Sequence, residues 1–181
     1  MAHFEKKLSE KTIYEGRVIT LTTDQALLEN GKTALREVVH HPGGACVAAL
    51  TEDRQVYMVR QYRYAVGEEL WELPAGKLEK GEDPFEAAKR ELGEEVGVTA
   101  DEYIDLGRFY PTVGYCNEVI YCWAAKGLHT VPLHPDEDEF LTPCKMPLDE
   151  AAQLALSGEI RDGKTVAMLL KLKLLCDTGR L

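Results

Sequence analysis

The sequence predicts an α+β fold. Three observations carry that expectation: β-branched segments separated by turn signals through most of the chain, one helix marked at both ends near its middle, and two further helical patterns beyond residue 148. Residues 12–23 (TIYEGRVITLTT) are rich in β-branched residues and read as one strand interrupted at Gly16. Asn30-Gly31, between DQALLE and KTALREVV, is a strong hairpin signal, because both residues accept the positive φ of a two-residue turn. His40-His41-Pro42-Gly43-Gly44 then breaks the pattern. Residues 45–50 and 55–62 read as a strand pair turning at Glu52-Asp53-Arg54. Tyr103–Phe109 and Glu118–Ala125 are further strands. Asp149–Leu156 reads as a short helix ended by Gly158, and Thr165–Cys176 as a longer amphipathic one. There are no repeats and no low-complexity linker.

The break near His41–Gly44 divides the chain into an N-terminal antiparallel β subdomain, residues 1–43, and a larger domain, residues 44–181. The first is too small to bury both of its faces alone, so packing across a two-fold axis, and hence a homodimer, is the expected state. Hydrophobic content of 45% and charged content of 29% are ordinary for a globular protein. A net charge of −10 argues against a nucleic-acid backbone as partner and requires an anionic small-molecule substrate to bind through local cations. No apolar run approaches membrane-spanning length, and the N-terminus MAHFEKKLSEK lacks a signal-peptide core, so neither membrane insertion nor export is expected. Five scattered cysteines fit a reduced cytoplasmic chain, and Cys116, Cys122 and Cys144 lack the short paired spacing of a zinc site.

The segment Gly76–Val98, GKLEKGEDPFEAAKRELGEEVGV, carries the most chemistry. Asp83-Pro84-Phe85-Glu86 is a helix start, with Asp83 as N-cap, Pro84 at the first helical position and Glu86 completing a capping box. Gly97 is placed to end the helix in a left-handed conformation. Phe85, Ala88, Leu92 and Val96 fall on one stripe facing the core, while Glu91, Glu94 and Glu95 share a neighbouring face. Like charges at this spacing weaken a helix, so a face that keeps them points to a bound cation. Hard cations take oxygen ligands, and Mg²⁺ is commonly held by one or two carboxylates plus substrate phosphates. Taken alone, a run such as Glu-x-x-Glu-Glu is more often a solvated acidic face.

Gly76, five residues, Glu82, seven residues, Arg90-Glu91-Leu92, one residue, Glu94-Glu95, one residue, Gly97 and Val98 together resemble the full signature of the Nudix hydrolases, which cleave nucleoside diphosphates linked to another group. The resemblance implies a mixed β-sheet sandwiched between helices. It implies Mg²⁺, with Mn²⁺ as the alternative, held by Glu91, Glu95 and the Ala75 carbonyl, with Glu94 ligating or orienting through water. Glu82 and Arg90 look like an ion pair holding the preceding loop to the helix, and Gly76 would let that loop approach a ligand; the residues alone are equally compatible with a structural Gly76. From Tyr14-Glu15-Gly16-Arg17 to Arg36–Gly43 the chain is similar to Nudix proteins whose N-terminal sheet packs across a dimer and helps build the neighbour's site.

Beyond the box, VRQYRYAVGEELWELPAG (59–76) and Phe109–Glu118 resemble the ADP-ribose diphosphatases of that family. The resemblance makes Arg63 a diphosphate contact, against an edge-strand arginine in solvent, and Glu72 a support for metal or ribose. It identifies Pro111 as the proline that marks these enzymes, and Gly114 and Glu118 as shaping the pocket for the terminal ribose; Pro111–Gly114 is equally a plain turn. In Asp136-Glu137-Asp138-Glu139-Phe140, it makes Glu139 the first candidate for general base and Glu137 the second, on a mobile loop. The implied activity is hydrolysis of ADP-ribose to AMP and ribose 5-phosphate. The alternatives are hydrolysis of another nucleotide sugar or dinucleotide diphosphate, and a non-catalytic nucleotide-sensing module, which the intact acidic cluster disfavours.

Overall fold

The computed structural model describes residues 3–134 and 140–181. The chain forms two compact units, Met1–Gly43 with Tyr110–Val119, and Gly44–Phe109 with Ile120–Leu181.

The first unit is an antiparallel sheet of β1 (Lys6–Glu15), β2 (Thr20–Leu27) and β3 (Thr33–His40), in that order. Residues 12–23 are therefore not one interrupted strand. The Gly16 amide bonds to the Ile19 carbonyl at 2.9 Å and closes a turn, so Gly16 separates two paired strands. A Cβ on Gly16 would lie 2.6 Å from the exposed Tyr14 ring, so a larger residue there displaces that ring. The polar run at 6–11 is nonetheless strand, because an edge strand exposed along its whole length needs no apolar face. Asn30-Gly31 turns β2 into β3, with the Asn30 side chain accepting from the Lys32 amide. Segment 110–119 adds to β3, the Val39 amide donating to the Tyr115 carbonyl and the Asn117 amide to the Val39 carbonyl.

The second unit contains β4 (Gly44–Ala49), β5 (Gln55–Arg63), β6 (Glu68–Glu72), β7 (Ala75–Lys77), α1 (Pro84–Val96), β8 (Val98–Phe109), β9 (Ile120–Thr130), β10 (Leu141–Pro147), α2 (Leu148–Ser157) and α3 (Gly163–Asp177). One sheet runs β7-β4-β9-β8, with β4 and β9 parallel and the outer pairings antiparallel; a second runs β10-β5-β6. The expected pairing of 45–50 with 55–62 is only a stub. The turn exists, closed by the Thr51 amide on the Gln55 carbonyl, but contact ends at a Leu50–Val56 bridge. The strands then join different sheets, because β4 has both edges taken by β7 and β9.

Every residue of β4 (GACVAA) is buried, as a central strand in a mixed sheet must be. Its alternation splits the core in two. Ala45, Val47 and Ala49 join Ala87, Ala88 and Leu92 of α1, whereas Cys46 and Ala48 join Met168, Leu169 and Leu172 of α3 and Leu148 and Ala151 of α2. The mixed sheet thus lies between helices, as the fold class requires.

Candidate active site

The box helix α1 is capped by Asp83, whose side chain accepts from the Phe85 and Glu86 amides, and ends at Gly97 with φ 65° and ψ 37°. Glu86 pairs with Lys89 at 2.8 Å, so its carboxylate is engaged one turn into the helix and not in a reciprocal cap. Ala88, Leu92 and Val96 are buried on the core stripe, and Phe85 meets Tyr103 edge-on at 5.3 Å. Two of the three acids on the acidic face are buried, Glu91 at 6% exposure and Glu95 at 1%, while the Glu94 side chain is 32% exposed.

Arg90 is the hub of that face. Its Nε and Nη2 grip Glu82 at 2.9 and 3.1 Å, and its Nη1 donates to Glu91 at 2.8 Å and Glu94 at 2.9 Å. Nη2 also reaches the Lys77 carbonyl at 3.3 Å. The hydrogen bond from Arg90 holds the Glu82 carboxyl below its usual value. One guanidinium thus orders three carboxylates and the strand before the helix.

The segment Glu72–Lys77 is fixed residue by residue. The Leu73 amide donates to Thr165 Oγ1 at 2.9 Å, the Pro74 carbonyl accepts from the Val47 amide at 2.9 Å, and the Ala75 amide donates to Glu95 Oε2 at 2.9 Å. Gly76 packs against Glu91 so closely that a Cβ would lie 1.8 Å from Oε1 and 2.4 Å from Oε2. Among the described residues no group of three or more His, Cys, Asp or Glu side chains converges as a metal site by itself. Two buried carboxylates beside a backbone segment held against them by a glycine do, however, suit a hard cation that completes its shell with substrate oxygens.

A second charged cluster sits at the other end of the segment. Arg63 at the end of β5 lies back along the hairpin and forks onto Glu72, Nε to Oε1 at 2.6 Å and Nη2 to Oε2 at 2.7 Å. Lys164, in the first turn of α3, also donates to Glu72 Oε2 and to Asp162 at 3.0 Å. Burial pushes the Glu72 carboxyl up, but the hydrogen bonds from Arg63 and the charge of Lys164 outweigh it and hold the group below its usual value. Burial would also lower Lys164, yet Asp162 and Glu72 outweigh it and keep the ammonium above the ordinary lysine value.

A NUDIX domain model matches residues 39–169, most of the chain. The chain belongs to the Nudix family. Over 172 residues it is 41% identical to the methanol dehydrogenase activator of Bacillus methanolicus and 38% identical to the ADP-ribose pyrophosphatase of Bacillus subtilis, alignments that cover 94% of this chain and 93% of each relative. The crystal structure of an ADP compounds hydrolase superposes with a TM-score of 0.83 over 98% of this chain and 97% of that one at 23% identity, a likeness of fold. This Nudix chain is accordingly an enzyme, a hydrolase of nucleotide diphosphates.

Of the remaining expected Nudix site residues, two belong to the first unit and two fall outside the described residues. Gly114 and Glu118 belong to the first unit, where a Cβ on Gly114 would meet nothing within 4 Å and Glu118 lies 3.4 Å from His41 Nδ1. That nitrogen accepts from the Gly43 amide at 3.1 Å. Glu137 and Glu139 lie outside the described residues. Sequence reasoning missed Asp162, Lys164 and Thr165 altogether. A signal was present: Asp162 is a ready N-cap, and a lysine in the first turn of a helix opposes the helix dipole unless something acidic faces it.

Proposed function

We propose that this Nudix hydrolase cleaves the diphosphate of ADP-ribose to AMP and ribose 5-phosphate, with Mg²⁺ as the resident metal and Mn²⁺ as the alternative. One observation carries the reading. The segment Glu72–Lys77 has a half-exposed arginine fixed at one end and buried Glu91 and Glu95 at the other, an anion grip next to a cation seat, which is what a diphosphate ester requires. The 38% identity to a protein named ADP-ribose pyrophosphatase supports the choice of substrate.

In this reading Glu91, Glu95 and the Ala75 carbonyl hold the metal, which when bound polarises a phosphoryl oxygen and makes water a better nucleophile. Arg90 orders the carboxylates, and Glu94, itself held by Arg90, orients water. Arg63 takes up phosphoryl charge as it redistributes. Glu72 acts through Arg63, since its oxygens already accept from Arg63 and Lys164. Glu139, or failing that Glu137, accepts the proton of the attacking water. Water adds to one phosphorus, the anhydride P–O bond breaks, and the two monophosphates leave. Gly114 and Glu118 shape the ribose pocket, and the unit of β1–β3 serves a homodimer. Five free cysteines, Cys46 and Cys122 among them buried, support a reducing cytoplasmic setting.

The test is AMP release with Mg²⁺ across ADP-ribose, other nucleotide sugars, dinucleotide diphosphates and nucleoside triphosphates. ADP-ribose is expected to be hydrolysed fastest. A different winner retires the substrate, and no metal-dependent release from any of them retires the mechanism.

A further inference from the structure

Glu72 carries two cations where one would neutralise it. Arg63 spans both of its oxygens in a forked pair that is complete in geometry and charge. Lys164 adds a second cation on Oε2, and Asp162 balances that addition, so the four groups sum to zero. The partners differ in mobility. Lys164 is 9% exposed and sits in a helix turn stapled to the neighbouring residue by Thr165 Oγ1 on the Leu73 amide, whereas the Arg63 side chain is 40% exposed at a hairpin end. A buried lysine at a helix N-terminus is unfavourable in both burial and dipole. Nothing about holding Arg63 at rest requires it.

The second partner matters when Arg63 leaves. A carboxylate buried with a single partner cannot release that partner without becoming an uncompensated buried charge. With Lys164 in place, Glu72 stays paired throughout. We propose that Lys164 is a positioning residue that keeps Glu72 paired and hydrogen-bonded while Arg63 transfers from Glu72 to an anionic diphosphate ligand. This rests on the reading of Arg63 as the phosphoryl contact and adds the device that frees it.

The decisive variants are Lys164→Met, Lys164→Arg, Glu72→Gln and the double Lys164→Met/Glu72→Gln, each titrated with magnesium pyrophosphate and with ADP-ribose. Lys164→Met should weaken binding about tenfold or more, seen in turnover as a raised KM, because Glu72 then retains Arg63. Lys164→Arg should keep most of the affinity. The double variant should bind about tenfold more tightly than Lys164→Met, since a neutral amide in place of the Glu72 carboxylate no longer competes for Arg63. A lysine that only supports the fold gives the opposite pattern, with the double variant no better than the single one, and that result overturns the proposal. Should Lys164→Met not fold, the comparison passes to Glu72→Gln with and without Lys164→Met, where loss of the lysine should leave affinity within about threefold. In the unaltered protein, magnesium pyrophosphate should shift the Arg63 Nε–H resonance, assigned with Arg63→Lys. A shift without ADP-ribose hydrolysis retires the substrate and keeps the exchange; hydrolysis with no shift, or no shift with either ligand, overturns the exchange.

Discussion

Gly76→Ala isolates the acidic cluster with a single methyl group. Gly76 is not among the glycines with positive φ, so its backbone accepts alanine. The added Cβ would sit 1.8 Å from Glu91 Oε1 and 2.0 Å from its Cδ, while contacts below 3.0 Å are essentially never seen. The Glu91 carboxylate must therefore retreat by more than about 1 Å, away from the place where it faces Gly76. The end of a glutamate chain swings readily, so the stability loss should stay near the low end of the roughly 1–3 kcal/mol typical of overpacking. Activity should not escape as lightly, because a misplacement of this size in a positioned group costs about 10²-fold in rate. The assay is steady-state hydrolysis with Mg²⁺ beside thermal unfolding of the same preparations. Glu91→Gln supplies the control. It disables the same carboxylate, so Gly76→Ala combined with Glu91→Gln should be little worse than Glu91→Gln alone. A Gly76→Ala enzyme within threefold of the parent, or a double variant whose losses multiply, would refute the reasoning.

Acid stability provides a second check. Arg90 holds the Glu82 carboxyl below its ordinary 4.5, so the unfolded chain takes up that proton first. The pair stabilises the fold fully above that ordinary value and loses its contribution as pH falls through the lowered one, so Glu82→Gln should flatten the acid limb of the stability curve; an equally steep limb would show that the pair is not responsible. For the general base, Glu139→Gln should lower kcat by orders of magnitude and Glu137→Gln by little, and the reverse order in the same assay would exchange their roles. Sedimentation of the full chain should give twice the chain mass at micromolar concentration, and a fully active monomer would rule out the dimer.

The parts of the site legible in the sequence are those built from local signals. Asp83, Pro84 and Gly97 mark both ends of α1 by backbone chemistry that depends only on near neighbours, and the Glu91–Glu95 spacing follows from the helix repeat. Pairings between distant segments were harder to read. Residues 45–50 look like half of a hairpin, because a turn is visible locally while the competing edges β7 and β9 are not. β7, with three residues, is too short to show a period. Lys164 lies 92 residues from Glu72, and no periodicity links a lysine at one helix start to a carboxylate at the end of a strand. The dipole mismatch at Lys164 was the single hint, and it names no partner.

The strand β4 has a consequence for how this protein can drift. Its six residues are small or slender and wholly enclosed, and successive positions look toward different helices. Enlargement at Ala45, Val47 or Ala49 pushes on the helix that carries Glu91 and Glu95. Enlargement at Cys46 or Ala48 pushes on the layer whose first turn holds Lys164. A gene wandering by single substitutions thus reaches the acidic end and the basic end of the site through alternate codons of one short stretch. The two ends can be retuned separately, one step at a time, by side chains other than the acidic and basic ones themselves.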